Sequence, residues 1–384
     1  MATIYGKNYG KPSLDLNFAG NKSLIDTTTG TNYVTFSRAQ SGNEATYVGS
    51  DGLIKYASAD EPRFDHDPET LESLGLLVEE LRTNLIIDSE EFAAPISTWT
   101  RSGTSVTSNT TIAPDGTLTA DTVSNTPSQF SWIRPSLSLN TSLTYTITLY
   151  VKPLTTNKII SFEWQGANTF DLSNPGPGVQ TLPNGWYRLT VTKTGVNAGP
   201  AIYIGAYGTT SDSVSFAFWG AQLETGSFPT SYIPTSGSTE TRAADEASIT
   251  GSNFSSWYNQ SEGTWFANIP NPAKVASSRV INTGINLWSG PTNAGYVRTG
   301  SSSVLLTTSY PAKISAKYNN FSLTGAVNGV LMGEAGGINS VATYLDIGSA
   351  NTAAIGVGFL NASISRLTYY PKRLPDIELQ QLTK

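Results

Sequence analysis

The stretch LTYTITLYVKP, residues 143–153, alternates strictly. Leu143, Tyr145, Ile147, Leu149 and Val151 fall on one face, and Thr144, Thr146, Thr148, Tyr150 and Lys152 on the other. A period of two means a strand with one face buried. The same period recurs in KIISFEWQ, where Ile160, Phe162 and Trp164 are in phase. It recurs again in GWYRLTVTKTG, which sets Tyr187, Leu189 and Val191 against Trp186, Arg188, Thr190 and Thr192. AIYIGAYG and SVSFAFWGAQLE follow, and NPGPG, LPNG, NAGP and TTSDS punctuate the runs. Parallel sheets need crossover connections of about a dozen residues or more, and the spacing leaves no room for them. Short strands with regular turn signals imply a sandwich of two antiparallel sheets.

The last strand of that sandwich starts WGAQLETGSFPTSYIPT. Trp219, Ala221 and Leu223 alternate against Gly220, Gln222 and Glu224, and Trp164 and Trp219 are expected in the core. Pro229 and Pro234 end the ladder, because proline cannot donate to it. TSGSTET, residues 235–241, reads as a flexible linker. Strand-like runs then resume in EGTWFANI, RVINTGI, SVLLTTS, AKISAKYN, FSLTGAVNG, TYLDIGS and ASISRLTYYP. LPDIELQQLTK closes the chain as a short helix. Pro375 stands near its start, Asp376 and Glu378 lie in its first turn, and Ile377, Leu379 and Leu382 form its apolar face. The expected fold is all-β: two consecutive β-sandwiches after a small β-rich N-terminal segment. The boundaries are 1–87 for an attachment or oligomerisation segment, 88–241 for the first sandwich and 242–384 for the second.

Within the first region, DHDPETLESLGLLVEELRTN has two readings. Asp67 can cap a helix begun by Pro68, with Leu71, Leu74, Val78 and Leu81 near helical spacing and Gly75 interrupting. Alternatively, a turn at Asp67–Thr70 precedes an extended LGLLVEE.

Composition narrows the function classes. Charged residues make up 14% of the chain, against about 25% in soluble domains. The net charge of −6 and the absence of any basic run exclude electrostatic capture of nucleic acid or anionic membrane. Without cysteine there are no disulfides or thiolate metal sites. The N-terminus lacks the apolar core of a secretory signal, and no run reaches the length of a membrane span. The surface composition suits an extracellular particle, and a virus particle assembled in a cytoplasm and released by lysis reconciles both observations.

Catalysis finds little support. His66 is the only histidine, and GxSxG, GxxxxGK[ST] and HExxH are absent. VEELR and SEEF place carboxylates side by side rather than alternating along a strand. No catalytic residue, metal ligand set or cofactor is assigned, and His66 reads as a turn residue. Aromatic faces that stack on sugar rings are better represented. The outward phase of the first sandwich carries Tyr150, Trp186 and Arg188, and Tyr203 and Tyr207 share a phase on a neighbouring run. These five form the candidate carbohydrate-binding row. The competing reading packs the rings against a sheet or a neighbouring subunit.

Two stretches resemble known families. FSRAQSGNEATYVGSDGLIKYASADEPRFDHDPETLESLGLLVEELRTNLIIDSEEF, together with WGAQLETGSFPTSYIPT, resembles a module of bacteriophage virion proteins that carries a carbohydrate-binding-module-like jelly roll. That resemblance covers about residues 33–92 and 219–245. It favours the turn and extended chain at 67–80, although Leu71 stands where the family usually has glycine, which keeps the helix open. ISAKYNNFSLTGAVNG, YLDIGS and FLNASISRLTYYPKRLPDIELQQL resemble the late strands and closing helix of the laminin-G/concanavalin-like lectin sandwich. Phe359, Ile364, Tyr369, Lys372, Arg373, Leu374 and Glu378 fill similar places, and Asn361 stands near a common glycine. Such sandwiches often bind sugars, sometimes through calcium, but no cluster of calcium ligands stands out here.

The resemblance implies a virion structural protein: a tail fibre, spike or baseplate-associated component adhering to host surface polysaccharide. The alternative is a capsid decoration or head-fibre protein with an architectural role and no specific ligand. The implied partners are other virion proteins and further copies of the chain. A homotrimer is expected, because the first region has little apolar content before Leu53 and isolated two-stranded units are marginal.

Overall fold

The computed structural model describes residues 10–39, 45–95, 98–271, 278–283, 285–289, 294–299, 302–307, 311–336, 341–349 and 358–384. The start of the expected attachment segment, and parts of RVINTGI and SVLLTTS, lie outside them. The chain is almost all β, with antiparallel strand pairing.

The first sandwich has a six-stranded sheet, in the order Val179–Thr181, Tyr187–Thr194, Thr144–Pro153, Ser215–Thr225, Ala120–Asn125, Thr104–Thr111. It faces a five-stranded sheet ordered Ala167–Asp171, Ile159–Glu163, Ala201–Ile204, Trp132–Pro135, Trp99–Ser102. Tyr145, Ile147, Leu149, Val151, Leu189 and Val191 fill the space between them, as the alternation requires, along with Ile160, Phe162 and Trp164. Trp219 is also fully buried, but on the opposite face from Ala221 and Leu223. The register slips between Thr148 and Tyr150, opposite Gly220 at φ +60°. This bulge inserts one residue and reverses the phase.

The second sandwich pairs a six-stranded sheet with a seven-stranded one, and one edge strand of each comes from the N-terminal region. Leu14–Leu16 pairs with Arg366–Tyr370, and Thr35–Ser37 pairs with Glu246–Thr250. Leu14, Leu16, Phe18, Leu24 and Val34 enter that sandwich's core. The N-terminal strands therefore gain their apolar partners within the chain, which removes one motive for expecting a trimer. The closing helix spans Asp376–Leu382 and buries Leu379 and Leu382, while Ile377 points to solvent, 58% exposed.

At 67–80 the chain forms a turn followed by a strand. Asp67 Oδ1 accepts the amides of Glu69 and Thr70, and the Leu71 amide donates to the Asp67 carbonyl at 2.8 Å. Leu71 takes φ +60°, which explains glycine as the usual occupant. Ser73–Val78 then pairs with both Arg63–His66 and Ala362–Ile364.

The expected linker is tied down. Thr235 is buried and its Oγ1 donates to the Ile86 carbonyl at 2.6 Å. Glu240–Arg242 pairs with Arg82–Asn84. Beside this ribbon lies a buried ionic hub. The Asp245 carboxylate accepts from Arg38 at 2.9 Å, from Arg63, and from the Glu79 amide at 2.9 Å. Glu79 accepts from Arg63 and Arg242, both at 2.9 Å, and from the Ser231 hydroxyl at 2.7 Å. Burial alone would push the Glu79 carboxyl up, but Arg242 and Arg63 outweigh it and hold it at about 2. Glu80 pairs with Arg82 at 2.6 Å and accepts from the Asn361 amide at 3.2 Å. Asn361 itself takes φ +51°, the left-handed bend that a glycine commonly fills. These contacts join the N-terminal region to both sandwiches.

Candidate functional site

The five residues expected to form one sugar-binding row divide between two sheets. Tyr150, Trp186 and Arg188 lie on the six-stranded sheet, and their outward phase is correct. That face, however, is not open. The hairpin of Ala45–Val48 and Ile54–Ala57, together with the segment through Tyr232, lies across it. Tyr150 and Trp186 pack with Ile54, Leu182, Trp219 and Tyr232, and both are buried. Tyr232 stands 4.6 Å from Trp219 and 6.2 Å from Tyr150, ring to ring. The Trp186 indole donates to the Ile112 carbonyl at 3.2 Å. Arg188 stacks on Tyr150 at 5.4 Å and donates to the Thr230 carbonyl at 2.7 Å. The covering segments remove these three from any sugar-binding surface.

Tyr203 lies on the outer side of the other sheet but is buried, and Tyr207 lies in the bend that follows its strand. The register aligns Trp132 with Tyr203, and Tyr203 with Ser161. Their neighbours Ile133, Ile202 and Phe162 are likewise aligned and point into the core. Trp132, Arg134, Tyr203 and Glu163 therefore share the outer face, since successive side chains alternate. Phe130 bridges to Thr209 just beyond the strand ends and is 50% exposed. Tyr207 is 52% exposed. The rings make edge contacts: Phe130 to Tyr203 at 6.2 Å, Phe130 to Tyr207 at 6.5 Å and Tyr203 to Tyr207 at 4.9 Å. The Arg134 guanidinium lies 5.5 Å over the half-buried Trp132. Burial, then Tyr207 and Glu163, pushes the Tyr203 phenol up, which keeps it a neutral donor and acceptor. The result is an aromatic platform flanked by one cation and one carboxylate. Exposed rings of this kind can stack on the apolar face of a sugar, and a flanking cation and carboxylate can hydrogen-bond hydroxyls.

Sequence reading missed Phe130, Trp132 and Arg134. The signal was the alternation in QFSWIRP, where Trp132 and Arg134 flank the inward Ile133. His66 ends a strand rather than sitting within a turn, and it is buried. Among the described residues no group of three or more His, Asp or Glu is placed to hold a metal ion. No helix among them is long and apolar enough to cross a membrane.

No protein-family model and no curated protein matches the chain. Solved structures with a similar arrangement include the CBM40 module of the Ruminococcus gnavus IT-sialidase bound to α2,3-sialyllactose. It is 13% identical with a TM-score of 0.31, covering 34% of this chain and 86% of that one. The Trypanosoma rangeli sialidase in complex with sialic acid is 10% identical with a TM-score of 0.29, covering 69% and 60%. The native heptameric SAP-like pentraxin of Limulus polyphemus is 11% identical with a TM-score of 0.25, covering 33% and 73%. At these scores the likeness carries no inference about ligand.

Proposed function

We propose that this chain is a structural protein of a bacteriophage virion, a tail fibre, spike or baseplate-associated component that adheres to host surface glycans and has no catalytic role. The observation that carries adhesion is the exposed pair Phe130 and Tyr207, each about half exposed, packed over the buried Tyr203 and beside the half-buried Trp132. Exposed aromatic rings cost solvation and are justified by a partner. The virion assignment is supported by the resemblance of residues 33–92 and 219–245 to virion modules. Other virion proteins and two further copies of the chain are its proposed partners.

A glycan array probed with the full chain tests adhesion, and labelling of intact particles tests location. Host-derived polysaccharide is expected to bind, and the double variant Phe130→Ala/Tyr207→Ala to lose that binding while staying folded. A capsid decoration or head-fibre role without ligand is the second reading, favoured by the buried ionic hub that locks the regions together. An array with no hit, and a label on the capsid, decide for it.

A further inference from the structure

Arginines elsewhere in the chain are engaged by oxygen acceptors. Arg63 and Arg242 are held by Glu79, Arg82 by Glu80, Arg188 by the Thr230 carbonyl and Arg366 by Asp15. Arg134 differs. It is exposed, and its guanidinium has no hydrogen-bond or ion-pair partner among the described residues. What holds it is the half-buried Trp132 ring, 5.5 Å away. Stacking restrains a guanidinium without using its N–H groups.

The sheet sets what surrounds this cation. On one side Arg134 pairs with Thr100, and Trp132 with the exposed Ser102. On the other, Trp132 pairs with Tyr203 and Ile133 with Ile202, so the antiparallel register sets Arg134 beside Ala201. Ala201 pairs in turn with Glu163. Arg134 and Glu163 therefore stand on one row, two strand spacings apart, which is about 10 Å. The small Ala201 lies between them, and they form no ion pair with each other.

Phe130, Trp132 and Arg134 also alternate along the chain, so they form a line on the outer side of the sheet. From Phe130 to Arg134 that line spans about 13 Å at the rise of extended chain. Phe130 and Tyr207, each half exposed, lie at one end, and the uncommitted cation lies at the other. A single pyranose is shorter than this line, so an occupant that meets both ends has more than one sugar unit. A free guanidinium presents a planar fork of donors, which a carboxylate accepts through both oxygens. A hydroxyl accepts from the fork without the charge. A phosphate monoester carries close to two charges, whereas the row supplies one cation with Glu163 two strands away. The match is to one carboxylate.

Resting on the adhesive reading of this platform, we infer that it is selective for acidic oligosaccharides. One unit stacks on Phe130 and Tyr207, and the carboxylate of a uronic-acid unit further along the glycan binds Arg134.

The test is a glycan array printed with bacterial uronic-acid polysaccharides, each beside its carboxyl-reduced form. Reduction turns the acid into a primary alcohol and keeps the sugar backbone. Phosphate-bearing polysaccharides without uronic acid complete the array. The full chain is expected to bind at least one native polymer, and to bind its reduced form about tenfold more weakly, because hydrogen bonds to charged groups exceed neutral ones. Arg134→Gln should stay folded and bring binding of the native polymer down to the level of wild type on the reduced form. Lys152→Gln, which removes a cation from the six-stranded sheet of the same sandwich, should bind the native polymer as wild type does. Selectivity for acid is overturned, and adhesion stands, if reduced forms bind as tightly as native ones. The same holds if phosphate-bearing polymers alone bind and lose that binding in Phe130→Ala/Tyr207→Ala. Selectivity is also overturned if Arg134→Gln has no effect or Lys152→Gln costs as much. No binding to any polymer overturns both the selectivity and the adhesive reading.

Discussion

Replacing Asp245 by Asn should unfasten the junction. The Asp245 side chain is fully buried, and its two oxygens receive Arg38 and Arg63, which are equally buried. Asn keeps the shape but loses the charge, and its amide nitrogen turns a donor toward a guanidinium. Arg38 retains the Ser58 and Glu61 carbonyls at 2.7 and 2.9 Å, and Arg63 retains Glu79, so neither cation is stranded entirely. Breaking a buried ion pair from one side costs about 3–5 kcal/mol. At about 2.1 cal/mol/K of unfolding entropy per residue, a single cooperative unit of 384 residues shifts by about 1.2 °C per kcal/mol, so the expected fall in Tm is roughly 5 °C. Asp51→Asn is the control. Its partner Lys55 is 38% exposed and Asp51 50% exposed, so that pair contributes about 0–1 kcal/mol. Differential scanning calorimetry reads both, and urea midpoints check the size. Because the hub joins all three regions, the wild type should melt in one transition and Asp245→Asn should separate it into two. A Tm within about 2 °C of wild type, matching the Asp51 control, would refute the claim that the hub holds the regions together.

Three further outcomes follow from the same contacts. Trp186→Ala should lower stability by about 3–5 kcal/mol through loss of packing with Ile54 and Leu182, whereas Tyr207→Ala should leave the melt unchanged and weaken glycan binding by about 30-fold; melts and an array run on the same preparations separate the two. Gly75→Ala should fail to accumulate as soluble protein, since φ is +93° and a Cβ there would lie 2.2 Å from the Ile364 carbonyl oxygen; soluble yield and a melt equal to wild type would contradict this. Asp65 is held protonated by burial up to about pH 7, against 3.8 when free, so the folded state binds the extra proton and stability should decline as pH rises from about 4 through 7; denaturant midpoints should show Asp65→Asn gaining on wild type at pH 8 and matching it at pH 4.

The alternation of two made the sandwich readable. Ile147, Leu149, Leu189 and Val191 reach the inter-sheet core as their spacing demands. The helix–turn choice at 67–80 was settled by Gly75, whose positive φ and close approach to Ile364 fit a strand and not a helix. Trp219 defeated the pattern because one inserted residue at Gly220 reverses the phase, and a bulge leaves no mark on hydropathy. The N-terminal strands were undersold for a different reason. Leu14, Leu16 and Phe18 look like a sparse apolar set until they are placed against Leu367 and Tyr369, more than 300 residues away in sequence. Pairing at that distance has no local signature.

The site residues show the limit of periodicity most directly. Alternation tells which side chains share a face, and it gave Tyr150, Trp186 and Arg188 a common one. It cannot tell whether the face meets water. What covers it is the segment rich in the resembled motifs: Arg63 of PRFD, Glu79 of LLVEE, and Arg242 and Asp245 of TRAAD converge in the hub beside Tyr232. Thr46, within the covering hairpin, donates to the Tyr232 carbonyl, and Arg63 donates to the Thr46 carbonyl at 2.8 Å. The hub thus holds the hairpin down on the aromatic face. In this chain the resembled motifs therefore encode docking, and the residues they supply cover the outer face of the six-stranded sheet. The proposed adhesion therefore rests on the opposite side of the sandwich, where Phe130 and Tyr207 have no such cover.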